Sequence, residues 1–466
     1  MVTVTPEQIV YAPVPNPPAA MPEERPLPGA AVYAGRLSAV RTAMAHRHYD
    51  ALVIYADREH YSNFKYLTGF DPRFEEALLV VFKEGASALL LGNECYSLHK
   101  QAPFEVLPVL CQILSLPNQP MDAFVSMEHS LREAGLRPGM RTGVVGWKLL
   151  PSSDPPAFCT PHMMIAALQT VLGPEAALEN AADLFIHPGY GLRCVNDVDT
   201  IAYFEYYAAK SSLRLRETLD AIAPGMSEMA LASLLNPEGQ VQSCHPTMKA
   251  GPNATKGLIS PTPYRLTLGD PFSAGMGLEG GHSARRGFVA HAAEDLAPGI
   301  RDYLDVLAKP YFAAVASWYM SIGVGVSCGE FYAMIDHVLP KARYGWSLNP
   351  GHLIGTEEWL SSPVYPGSEI VFKSGMIVQM DLLPSLPGYG GINAEDGVLL
   401  ADSTLRDALK NAYPDVYARM VGRRAFMAEA LGITLGEDVL PLSDIPGVFR
   451  PFVLNKTHAL KVQKPD

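Results

Sequence analysis

The sequence predicts an α/β domain followed by a second domain of helices and strands in two similar halves. Three observations lead there. From Arg36 onward, helical and apolar-strand patterns alternate; a proline-rich run and a long polar stretch break this alternation before residue 190; beyond them one plan of helix, glycine turn, small polar residue, Glu and helix occurs twice. With 466 residues, 48% of them hydrophobic, the chain has enough material for two domains with substantial cores.

The elements follow in order. Residues 1–35, beginning MVTVTPEQIVYAPVPNPPAAMPEERPLPGA, are rich in proline, which removes backbone donors and favours extended chain. They read as an arm, with disorder favoured over docking on a neighbour. LSAVRTAMAHRHYDALVIYA reads as a helix and then an apolar strand, and YSNFKYLTGF with ALLVVFKEGASALLLG as a turn and a hairpin. LLPSSDPPAF, from Leu149, and HPGYGLRCVNDVDT, from His187, bracket the end of this domain, so residues 36–190 are assigned to it. Next, VDTIAYFEYYAAKSSLRLRETLDA is helical, and PGMSEMA supplies a Pro-Gly turn with Ser227 as the N-cap of another helix. YLDVLAKPYFAAVASWYMSIGVGVSCGEFYAMIDHVL repeats the plan. Strands are expected at EIVFKSGMIVQMDLLPS and GINAEDGVLLAD, closing a second domain over 191–405. Residues 406–466, a helical segment and a proline-rich tail, read as an extension.

The formal charge of −12 disfavours nucleic acid and anionic lipid, whose phosphates would be repelled, and suits a small cationic or zwitterionic partner. The six cysteines lack the close pairing of a zinc knuckle or a disulfide scaffold, which points to a reducing, cytoplasmic setting. The first residues have neither the basic nor the apolar region of a signal peptide, and no apolar run reaches the roughly 20 residues of a membrane span.

Seven short stretches then resemble a known family: YLTGF at 66–70, PGMSEMAL at 224–231, AGPNA at 250–254, LGD at 268–270, GHLIG at 351–355, SGMIVQMD at 374–381 and GINAEDGVLL at 391–400. In order and spacing they are similar to the creatinase, prolidase and aminopeptidase P family. The resemblance implies an α/β N-terminal domain and an α+β pita-bread C-terminal domain whose two halves enclose the site. It also implies a homodimer in which each subunit helps to complete the partner's site.

Metallopeptidases of that family hold two divalent metals with two Asp, one His and two Glu. Carried onto this sequence, the His falls on His352 and the two Glu on Asp381 and Glu395, whereas the two Asp fall on Gly275 and Ala284. Neither of the last two can bind a cation, and Arg285 and Arg286 follow directly, so a two-metal peptidase is not expected. The family's proton-handling His falls on Leu258 or Ile259, and a further His falls on Trp359. Creatinase resembles this chain in having given up its metals. The dimethylsulfoniopropionate lyase branch resembles it locally, with an acidic pair and Trp where Glu357, Glu358 and Trp359 stand.

Taken by themselves, His352, Asp381 and Glu395 are equally an acid/base set and a three-ligand site for one metal, and the sequence does not choose between them. Two carboxylates brought together cannot both ionise freely, so one is expected to titrate high. Arg285 and Arg286 are candidates for a fork around a substrate carboxylate, Trp359 for a π-face towards a cation, and Glu358, His245 and His282 for the lining of the pocket. The expectation is a creatinase-like, metal-independent hydrolase of a C–N bond in a small amino-acid derivative, with no cofactor. The alternatives are a single-metal hydrolase or lyase, of Xaa-Pro aminopeptidase or dimethylsulfoniopropionate lyase type, and a non-catalytic binding protein. Cys244 and Cys328 read as small buried hydrophobes.

Overall fold

The computed structural model describes residues 1–463. It divides into two compact units, residues 28–194 and residues 1–27 with 195 onward. The chain opens in the second of these with a short strand, β1 (Ile9–Pro13).

The unit of residues 28–194 is built on six strands, β2 (Ala51–Ala56), β3 (Ala77–Phe82), β4 (Ser87–Leu91), β5 (Val106–Leu110), β6 (Thr142–Val145) and β7 (Leu178–Asn180), in the order β5-β4-β3-β2-β6-β7. Its helices are α1 (Ala30–Arg47), α2 (Ser62–Thr68), α3 (Met127–Glu133), α4 (His162–Leu172) and α5 (Asp183–Ile186). Every residue of β2, ALVIYA, is buried, as a strand covered on both faces requires. Val53, Leu78, Val80 and Leu90 pack with Leu131 of α3 and Leu168 of α4 in one core.

The other unit carries the larger sheet. Its helices begin with α6 (Val198–Ala221) and α7 (Glu228–Ala232), followed by β8 (Gln242–Ala250), β9 (Pro271–Leu278) and β10 (Gly281–Phe288). Then come α8 (Lys309–Ser321), α9 (Cys328–Val338), α10 (Lys341–Tyr344), β11 (His352–Leu353), β12 (Ile377–Met380) and β13 (Asn393–Leu400). The sheet runs β11-β12-β13-β10-β9-β8, all neighbours antiparallel. Its two halves repeat in detail. Gly225 and Gly325 both take the positive φ open to glycine, and their N–H groups donate to Leu266 O and Phe372 O at 2.7 and 2.8 Å. Ser227 then caps α7 and Ser327 caps α9 through backbone bonds of 3.1 and 3.3 Å.

At both ends of the chain the structure departs from the sequence reading. The proline-rich start is ordered, because β1 pairs antiparallel with the last strand, β15 (His458–Val462), in the register Ile9 to Val462. Val2 and Val4 donate at 2.8 Å to Ser321 and Ser317, one turn apart on α8, so the arm's backbone is satisfied far from its own sequence neighbours. The last 60 residues are also not an appendage. α11 (Ser403–Ala412) and α12 (Pro414–Ala430) lead into β14 (Val439–Pro441), which pairs with β13. Arg423 of α12 joins Glu205 of α6 (2.7 Å) and Asp444 (2.6 Å), a buried network that closes the segment onto the unit. The unit boundary falls at 194/195 rather than 190. No helix among the described residues is long and apolar enough to cross a membrane.

Candidate active site

Strand register lines up the residues of interest. Thr247, Gly275, Ala284 and Glu395 are successive cross-strand partners on β8, β9, β10 and β13. Gly275 and Ala284, where the resemblance leads one to expect two Asp, therefore stand in one row with Glu395. A Cβ on Gly275 would meet Ala284 Cβ at 3.1 Å and Thr247 Oγ1 at 3.2 Å, so the row is closely packed there. Two residues along each strand, on the same face, Lys249, Ser273, Arg286 and Asn393 form a second row.

His352 enters from β11, opposite Gln379 of β12, and Asp381 follows β12 directly. Gly351 before it has φ +135°, and a Cβ would crowd Gln379 O and Trp318 Nε1, both at 3.3 Å. Trp318 Nε1 donates to Pro350 O at 2.8 Å and fixes the approach of the loop. His352 is fully buried, with Trp359 stacked on its ring at 4.1 Å and 14°.

The ligand atoms of His352, Asp381 and Glu395 lie within 4.8 Å of one another. His352 Nε2 is 3.3 Å from Glu358 Oε1 and 4.0 Å from Asp381 Oδ2, without hydrogen-bond geometry to either. His282 Nε2 is 3.7 Å from Glu395 Oε2. Glu395 is held by Gln379 Nε2 at 3.1 Å and Asn393 Nδ2 at 3.2 Å. Buried and without hydrogen-bond partners among the described residues are His352 Nε2 and Asp381 Oδ1 of this cluster, as are Gln379 Oε1 and Asn393 Oδ1 beside it.

The charges are set by mutual contact. Burial alone would push the His352 imidazolium down, but Glu358, with Asp381 and Glu395 behind it, raises it to about 9. Burial would raise Glu358, yet His352 holds it at about 2. Burial and then the Glu395 charge push Asp381 well above the carboxylate range, with His352 offsetting only part of this. The site thus favours an imidazolium beside an ionised Glu358, while the Asp381 carboxyl is driven towards its neutral form. Burial, followed by Glu358 and Glu395, lifts the Cys244 thiol to about 12, which makes it no nucleophile.

Two of the sequence candidates are separated from the rest. Arg285 points to the opposite face, because it alternates with Ala284 and Arg286 along β10. There it pairs with buried Asp396 at 2.7 Å and donates to the carbonyls of Val448, Glu395 and Ile445, so nothing remains for a substrate. Only Arg286 is left of the expected fork, and it acts electrostatically on Asp381. His245 is exposed, its Nε2 3.3 Å from Leu258 O, and stands outside the cluster, whereas His282 is buried in it. Sequence reading missed Gln379 and Asn393. The signal was present, since Asn393 lies two residues from Glu395 on one strand and Gln379 two before Asp381.

Comparison with known proteins adds the fold. Residues 36–115 match the Creatinase/Prolidase N-terminal domain. A prolidase from Thermococcus sibiricus superposes with a TM-score of 0.62 at 19% identity, over 79% of this chain and 95% of that one. The chain has the pita-bread fold. The X-Pro aminopeptidase from Thermotoga maritima (TM-score 0.60, 14% identity, 78% of this chain and 95% of that one) and a dipeptidase from Mycobacterium ulcerans (0.60, 18%, 80% and 95%) give the same result. A search among curated proteins finds no match by sequence.

The metal pair that this fold holds in metallopeptidases does not fit here. Gly275 and Ala284 put no carboxylate beside Glu395, and Ala284 Cβ closes the gap between their strands. One metal fits the remaining donor set of one imidazole and two carboxylates.

Proposed function

We propose that the chain is a hydrolase that cleaves a C–N bond in a small amino-acid derivative by proton transfer, without requiring a metal. The observation that carries this reading is the replaced row: Gly275 and Ala284 beside Glu395, with His352, Asp381 and Glu395 still converged. His352, held as an imidazolium by Glu358, is the proton carrier towards the leaving nitrogen. Glu395 receives the substrate's cationic nitrogen, the Asp381 carboxyl assists the transfer, and Arg286 holds the substrate's carboxylate. Trp359 braces the imidazole from one side. The test is His352→Ala against a panel of guanidino, amidino and N-acyl amino acids. Turnover is expected to fall by about 10²–10⁴-fold while the unfolding transition is kept; turnover near that of the unmodified chain contradicts the assignment.

A second reading has one observation in its favour, the 4.8 Å convergence of His352, Asp381 and Glu395 on a point where one metal ion would bind. Such an ion would supply Lewis acidity and a more acidic bound water. Binding it would require His352 to give up its proton, since only neutral imidazole ligates. The same proposal keeps the chain a cytoplasmic homodimer acting on a small molecule, with neither nucleic acid nor membrane as partner. Its six free cysteines suit a reducing compartment.

A further inference from the structure

The second row, one pleat repeat from the carboxylates, contains two cations with no anionic partner. Lys249, at 1% exposure, is among the most buried charged residues of the chain, and its Nζ donates only to the neutral carbonyl of Gly257. Ser273 is buried beside it, and its hydroxyl makes no hydrogen bond among the described residues. Arg286 is next across the sheet and half-buried, and its guanidinium forms neither a hydrogen bond nor an ion pair among the described residues. Sequence register places all three on the face that carries Glu395.

Two cations flanking one serine on a largely buried face repel each other, a cost that an anion between them removes. The repulsion is registered at Lys249, which burial first and Arg286 second push below its usual range, with Glu228 offsetting in part. Glu228 is not free to serve as that anion. Its oxygens accept from Ala250 N, Asn253 Nδ2, Thr262 N and Thr262 Oγ1 at 2.7–3.1 Å, so it is committed to the loop. On the other side Arg286 acts on Asp381, which belongs to the catalytic cluster.

We infer that Lys249, Ser273 and Arg286 form an oxyanion subsite that receives the carboxylate end of the substrate, and that its distance from the Glu395 row selects substrates by the separation of their charges. The inference rests on the proposed hydrolase reading for its cationic end, and adds a length to it. Two residues along a strand span about 6.6 Å, so the preferred ligand is a zwitterion whose carboxylate and cationic nitrogen lie about that far apart. α-Amino acids are too short for both rows, and long diamino chains lack the anion.

The experiment is calorimetric titration of the full chain with ω-amino carboxylates of two to seven carbons, and with the matching amines that lack the carboxylate. Affinity is expected to peak at intermediate length, with the carboxylate worth at least tenfold at the peak. In Lys249→Met and Arg286→Met, each checked for an unchanged unfolding transition, the amine and the amino acid should bind alike. Ser273→Ala, the mildest change, guards against a folding defect in the buried lysine variant and should weaken the carboxylate preference a few-fold. A flat length profile, a carboxylate preference that survives both cation variants, or no binding by any member overturns the subsite. Because binding is read without turnover, the two ideas fail separately: carboxylate-dependent binding with no hydrolysis across the panel leaves the subsite and removes the hydrolase, whereas hydrolysis indifferent to the carboxylate does the reverse.

Discussion

Arg285 and Arg286 are adjacent on β10 and have opposite surroundings. Arg285, on the rear face, meets buried Asp396 at 2.7 Å, and Asp396 in turn accepts from Ser283 at 3.1 Å and Gly447 N at 3.1 Å. On the front face the Arg286 guanidinium makes no hydrogen bond or ion pair among the described residues, and elsewhere on that face His352 Nε2 and Asp381 Oδ1 are buried without hydrogen bonds. The same sheet therefore keeps one face electrostatically complete and the other incomplete. Completed buried charge is what a fold needs to stay closed, whereas open valence at one point is what a site needs to engage a substrate.

The contrast can be broken from either face. The largest effect is expected in front, where His352→Ala should lower turnover by about 10²–10⁴-fold, the usual worth of a positioned proton carrier. Stability should change far less than activity. On the rear face Arg285→Met should leave Asp396 buried and unpaired, at a cost of about 3–5 kcal/mol in chemical denaturation. Arg286→Met should cost less than about 1 kcal/mol, since no native bond is lost. Equal losses from the two arginines would dissolve the distinction between the faces.

The pH dependence sharpens the same comparison. His352 titrates higher folded, at about 9, than unfolded, so its contribution to stability is fully present below its ordinary value near 6.5 and is lost as pH rises through about 9. Glu358 titrates lower folded, at about 2, so its contribution is present above its ordinary value near 4.5 and is lost as pH falls through about 2. Turnover dependent on the imidazolium should fall on the same alkaline limb near 9. Glu358→Gln removes the main stabiliser of that charge and should move the limb to lower pH, read from kcat against pH. An unmoved limb would mean that His352 is not the titrating group. The smallest change is expected from Trp359→Leu, which removes the stacked ring but no charge and should lower turnover only a few-fold.

Much of this arrangement could be read in the sequence, and the reasons it was only partly legible are local. Motif spacing was enough to put Gly275, Ala284 and Glu395 together, because strands with simple alternation transmit register from one motif to the next. The same alternation on β10 separates Arg285 from Arg286, a distinction that treating them as a pair overlooked. β8 was harder. Its register slips twice, between Gln242 and Cys244 and between Cys244 and Thr247, so alternation from His245 does not predict where Lys249 points. That is why an exposed His245 was singled out and a buried Lys249 was not. The proline-rich start showed its extended character in composition, but its partner β15 lies some 450 residues away, and no local pattern encodes such a pairing. The convergence of Glu358 on His352 depends on a loop conformation rather than a period, and it proves to govern the charge state of the site.

Elemental analysis of the protein purified without chelator or affinity metal, alongside the His352→Ala/Asp381→Ala variant, tests the central claim most directly. The account predicts no stoichiometric transition metal in either protein, with hydrolysis of a C–N substrate by the unmodified chain unaffected by chelation. One metal per chain, absent from the double variant and lost together with activity on chelation, would contradict it and assign the three converged residues to a mononuclear centre.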